Sequence, residues 1–205
     1  AAGFVMVADA LLRSRDFWLF FSQEGIFPPD ILQKYLEPGC WSLNFLNEAL
    51  WWQGAMLAAE AVAGLSLMAG YLSSISCFMA WVIWTSILRR TEPAANAGDL
   101  WMACLLYWGM FLPLGEMLSI DSLLQKKTKY ATRSLASAAF LAQVLAVYLY
   151  AGISKLQGDW LNGSAVGYVL SVHDHGTWVG EFLNASKITT GFLTISTLLL
   201  EIGGP

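Results

Sequence analysis

The chain has 205 residues, 57% of them hydrophobic and 13% charged, with a formal charge of -4 and a mean hydropathy of +0.54. Soluble domains carry about 25% charged residues. Ten tryptophans, eleven phenylalanines and seven tyrosines are more aromatic surface than a small soluble core can hide. Disordered, disulfide-scaffold and nucleic-acid-binding classes are thereby excluded, and the composition is that of an integral membrane protein.

A membrane span needs about 20 mostly apolar residues, and the charges are spaced to allow several. Residues 1–12 read as the tail of a helix cut at its start. Residues 13–48 form a long connection. In it, Asp16-Phe-Trp-Leu-Phe-Phe21 followed by Gly25 and Pro28-Pro29 reads as an interfacial stretch broken by a turn. The next predicted span, 49–68, carries a single charge, Glu60, and a tight turn at 70–74 folds it against a second, 71–88, that stops at Arg89-Arg90. A third, 100–115, ends at Glu116. A fourth, 135–154, is uncharged and stops at Lys155, and a fifth, 188–200, is clipped and runs into Glu201. The second long connection, 157–187, is rich in Trp, Gly and Asn and falls on the same side as the first by alternation. The expected fold is therefore all-α, a polytopic transmembrane helix bundle with interfacial helices in two long loops. It is expected as a single domain over 1–205, a fragment truncated at both ends. Lys126, Lys127, Lys129 and Arg133 in one short loop favour that loop as cytoplasmic, whereas Arg89 and Arg90 argue the other way.

Ionisable groups inside a membrane default to functional candidates, which singles out Glu60, Glu116, Lys155 and Glu201. Two readings of Lys155 stand side by side. It either snorkels to the interface where its helix ends or serves a buried site. His173-Asp174-His175 contains both histidines of the chain and reads as a polar loop crown, since a metal site needs three or four ligands. Asn162-Gly-Ser164 and Asn184-Ala-Ser186 are Asn-x-Ser sequences in the same loop. Cys40, Cys77 and Cys104 have no ligand or redox spacing, and no soluble-enzyme motif is present.

Residues 143–170 carry Gln143, Val147-Tyr148, Ala151-Gly152, Lys155-Leu156, Asp159-Trp160, Gly163 and Tyr168 in a pattern that resembles the signature of the vitamin K-dependent gamma-carboxylases and their bacterial HTTM-domain relatives. Further matches fall in the same order: a Gly25 to Pro28 turn, Ile75-Ser-Cys77, Phe111-Leu-Pro-Leu-Gly115, an S-x-D at Ser119-Ile-Asp121, and Leu200-Glu201. The resemblance implies a site on the periplasmic or luminal face of a multi-pass protein, in a bacterial cytoplasmic membrane. Lys155 stands where the family has the base that deprotonates reduced vitamin K. Asp99 and Asp121 are the accompanying catalytic candidates. Trp108, Tyr148 and Trp160 are candidate contacts for a quinone cofactor, among aromatic walls that include Trp101, Tyr107 and Tyr150. No metal is implied.

Two departures direct the functional reading. Asn96-Ala-Gly-Asp99 stands where animal carboxylases carry a functional histidine, and their large peptide-binding luminal domain is absent from these residues. Quinone-linked redox chemistry is thus favoured over glutamate carboxylation itself. The alternative is a non-catalytic accessory subunit of a larger respiratory or photosynthetic membrane complex, whose partners would be membrane lipids and other subunits. Transport, resting on Glu60 and Glu116 alone, ranks last because no repeat symmetry is present.

Overall fold

The computed structural model describes residues 1–36, 39–115, 119–125, 134–172 and 177–204. Glu116, the basic cluster at 126–133 and His173-Asp174-His175 lie outside the described residues. Those described are helical or irregular, with no strand among them. The chain forms two compact units, Ala1–Ser137 and Ala138–Pro205.

The first unit is built on α1 (Ala2–Arg15), α4 (Leu50–Ala69), α5 (Ser73–Arg90) and α6 (Ala97–Gly109). Shorter helices α2 (Phe17–Phe21), α3 (Pro29–Tyr35) and α7 (Ile120–Gln125) lie between or after them. Close helix crossing needs small residues, and α1 meets α4 glycine to glycine. A Cβ on Gly64 would lie 2.8 Å from the carbonyl oxygen of Gly3. Around this crossing Met6, Ala63, Ala80, Trp84, Met102 and Leu106 close the core of the unit.

The α4–α5 hairpin turns where the sequence predicts. Gly70 adopts φ +63°, and the amides of Gly70 and Tyr71 return to the carbonyls of Leu67 and Ser66 at 3.3 and 3.0 Å, a Schellman closure. The first long connection is pinned onto the hairpin by polar groups. Buried Arg90 donates to the carbonyls of Phe27 and Phe21 at 2.7 and 3.2 Å. The Gln53 amide donates to the carbonyls of Asn44 and Asn47, both at 2.9 Å. α5 ends at Arg90, where the sequence predicts a stop, and the same buried arginine is also part of the packing.

The third predicted span is shortened. A capping box at Asn96 starts α6 before Leu100, and the chain leaves the helix after Gly109, ahead of Pro113, whose ring disfavours helix in the residue before it.

The second unit holds α8 (Leu135–Ser154), α9 (Gly158–Leu161), α10 (Ala165–Ser171), α11 (Trp178–Asn184) and α12 (Lys187–Gly203), with its boundary falling near the start of α8. α8 coincides with the predicted span, whereas α12 runs three residues past its predicted end. Thr194, fully buried, is the pivot here. Its hydroxyl oxygen accepts from the Val166 amide at 3.2 Å and lies 2.7 Å from the Thr190 carbonyl.

Among the described residues one helix, α8, is long and apolar enough to cross a membrane. α4 equals it at 20 residues but carries Gln53 and Glu60, α5 takes in both arginines, and α6 and α12 have 13 and 17 residues. Of the twenty residues of α8 only Gly152 is buried.

Candidate functional site

Lys155 is delivered by the end of α8. Its amide bonds back to the carbonyls of Ala151 and Gly152 at 3.3 and 3.2 Å, so the last turn is closed and the side chain leaves at the helix terminus. The chain then reverses through Gly158, at φ +50°, into the short helix that carries Trp160. This reversal brings the Trp160 ring beneath the ammonium, with Nζ 4.9 Å from the ring centroid, a cation–π geometry.

The second partner of Lys155 comes from α12. Glu201 Oε1 accepts from Nζ in an ion pair whose side chains are 24% and 18% exposed. Gly152 makes the pairing possible, because any side chain there would collide with Ile202. Glu201 Oε2 is buried and has no hydrogen-bond partner among the described residues, so one lone-pair face of the carboxylate is uncommitted there. Lys155 therefore does more than snorkel: it is held from two sides by protein groups. Tyr148 lies seven residues before it on α8, two turns down on the same side, about 10 Å along the axis, and is 45% exposed.

The remaining candidates belong to the first unit. Asp99 completes the capping box of α6, accepting from the Asn96 amide at 2.9 Å, and its carbonyl accepts from Trp84 Nε1 at 3.0 Å. Asp121 caps α5 from a distant part of the chain, accepting from the amides of Leu72 and Ser73 and from the Ser73 hydroxyl, each at 2.8 Å. The two carboxylates are not brought together. Asp121 sits at the start of α5 and Asp99 beside Trp84, eleven residues or roughly 17 Å along that helix. Trp108 belongs to an aromatic cluster, with ring centroids 5.3 Å from Tyr107 and 6.3 Å from Phe111.

Glu60 is fully buried, as its position mid-helix suggests, and neither carboxylate oxygen has a hydrogen-bond partner among the described residues. The charges of Asp9, Arg13 and Asp99 act on it, and Arg13 itself pairs with Asp9 and donates to Thr91 Oγ1 at 2.8 Å. The Asp9–Arg13 pair is spaced four apart on one helix, which is the sequence signal that would have found it. Glu201 was legible as an ionisable group but not as the partner of Lys155.

The profile of the HTTM domain matches residues 30–204, across both units. The chain belongs to the HTTM-domain family. No curated protein and no solved structure matches it. The HTTM match takes in the whole Lys155 segment and Glu201, so the ion pair lies inside the family's own region. HTTM proteins are membrane-associated, which accords with the one long apolar helix.

Proposed function

We propose that this HTTM chain is a multi-pass membrane protein of the gamma-carboxylase type that binds a quinone and uses Lys155 as its base, on the periplasmic or luminal face of a bacterial cytoplasmic membrane. The observation that carries this reading is the environment of Lys155. Its ammonium lies between Glu201 and the Trp160 ring, at the end of the most apolar helix, with a buried carboxylate oxygen left to accept a hydrogen bond. α4 and α8, of 20 residues each, reach about 30 Å, the thickness of a bilayer core.

The residues present fit a quinol. The unpartnered Glu201 Oε2 matches a hydroxyl donor, and Trp160 and Tyr148 offer flat apolar faces for a ring. Trp108 is the corresponding aromatic candidate in the first unit. When bound, such a group supplies two-electron redox chemistry that side chains lack. In this reading Nζ of Lys155 takes up the proton, Glu201 balances the charge so formed, and Trp160 fixes its position. Asp99 and Asp121, the other candidates, are bound to helix N-termini in the first unit.

The test uses the purified full chain in nanodiscs, with quinone binding read by tryptophan quenching and quinol-dependent oxygen uptake by an electrode. Lys155→Ala should abolish uptake and leave quinone binding in place. Absence of any quinone binding sinks the proposal. The accessory-subunit reading is favoured by one observation, the nearly bare surface of α8. Stoichiometric co-purification with other membrane subunits, without quinone, would support it.

A further inference from the structure

The second unit contains a cleft of about 510 Å³ that the Lys155 chemistry does not use. It lies between the loop that joins α9 to α10, α10 itself, and the first turns of α12. Its walls are partly bare backbone. Gly163, at φ +75°, stands against the Cα of Gly191, and a Cβ on Gly167 would reach Asn184 Oδ1 at 3.4 Å. Side chains at these glycines would take up the space that is left open.

Three polar residues line this cleft without a side-chain partner among the described residues. Asn162, Asn184 and Lys187 line it, and none makes a side-chain hydrogen bond or ion pair among the described residues. The two asparagines come from the two separate Asn-x-Ser sequences, which the fold brings to one place. Together the two carboxamides and the ammonium offer seven N–H donors. Among the described lining residues Lys187 is the one that is formally charged. The Asp159 carboxylate, on α9, accepts from the Ser164 hydroxyl at 3.2 Å. Tyr168, 61% exposed, forms the rim.

We infer that this cleft binds a phosphate-bearing group through Lys187, Asn162 and Asn184. Among the described lining residues, unpaired N–H donors, one positive charge and no carboxylate favour an anion rich in acceptor oxygens. The volume exceeds that of a bare phosphate and leaves room for the ester attached to it, while an aromatic rim suits an amphiphilic molecule. A lipid headgroup and a soluble phosphate ester share this chemistry. The site is independent of the quinone reading. Gly191 lies ten residues, about 15 Å, along α12 from Glu201.

The experiment uses the full chain and two probes. Binding of inorganic phosphate is read by phosphorus NMR line broadening in neutral detergent. Retention of phosphatidic acid over phosphatidylcholine is read by native mass spectrometry from mixed nanodiscs. Lys187→Gln should weaken binding about tenfold, and Asn162→Ala or Asn184→Ala several-fold, by loss of hydrogen bonds to a charged group. Lys34→Gln, an exposed lysine on α3, controls for general surface charge. Phosphatidic acid retained and displaced by phosphate supports a lipid headgroup; phosphate bound without lipid retention supports a soluble ester. The inference is overturned if neither probe binds, or if Lys187→Gln changes binding no more than Lys34→Gln. Helical circular dichroism of each variant must equal that of the parent, which these half-exposed or exposed positions allow.

Discussion

Gly152 on α8 faces Ile202 on α12 so closely that a Cβ added to the glycine would lie 2.6 Å from Ile202 Cγ1. That approach lets Lys155, three residues on, meet Glu201, the neighbour of Ile202. Gly152→Val should therefore cost about 1–3 kcal/mol through overpacking and separate the ion pair. Thermal unfolding in detergent measures the first effect. The second appears as loss of any further penalty when Glu201→Gln is added to Gly152→Val.

The ion pair can be weighed directly. A double-mutant cycle of Lys155→Met and Glu201→Gln should give a coupling energy of about 1–2 kcal/mol, above that of exposed pairs because both side chains are mostly shielded. A coupling near zero would mean that Trp160 alone holds the ammonium.

Asp121 binds the start of α5 through two amides and a hydroxyl 48 or 49 residues away in sequence. Asp121→Ala should destabilise the first unit by about 1–3 kcal/mol, and Asp121→Asn by less. Hydrogen exchange at Leu72 and Ser73 should quicken ahead of the rest of α5. Unchanged exchange there would contradict the capping role.

Gly70 is constrained twice, by φ +63° and by the Ser119 side chain against its Cα. Gly70→Ala should cost more than the roughly 1 kcal/mol of left-handed strain alone. Ser119→Gly added to it should recover only the steric part, read as a partial return of the melting temperature.

Arg90→Lys removes the planar fork that reaches two backbone carbonyls at once. A loss of about 1.5–3 kcal/mol is expected, accompanied by protease sensitivity in 22–28. Equal sensitivity in parent and variant would show that Phe21 and its neighbours hold this segment without the arginine.

The sequence reading succeeds where charge and periodicity act locally. α8 begins and ends where an uncharged run meets Ser134 and Lys155, and the hairpin turns at Gly70 because only a left-handed residue closes α4 there. It falls short where a polar side chain finds its partner through space. The serine and aspartate of Ser119-Ile-Asp121 are visible in sequence, but nothing local reveals that the carboxylate docks on Ser73. Arg90 ends α5 as its charge suggests, but nothing local reveals that Phe21 and Phe27 present their carbonyls to it. Lys155 and Trp160 are close in sequence and could be paired by resemblance. Glu201, 46 residues on, could not, because that contact depends on how closely Gly152 lets two helices approach.

The bare surface of α8 has a consequence for handling the protein. In a well-packed unit the chain supplies its own apolar surroundings, as Met6, Trp84 and Leu106 do for the first unit. α8 instead leaves Leu135, Leu141, Leu149, Tyr150 and Ile153 to whatever surrounds the molecule. Its free energy is set by the medium as much as by the sequence. Exchanging one amphiphile for another should therefore move the melting of the second unit more than that of the first, whose exposed Phe4, Trp51 and Val62 surround a core of its own.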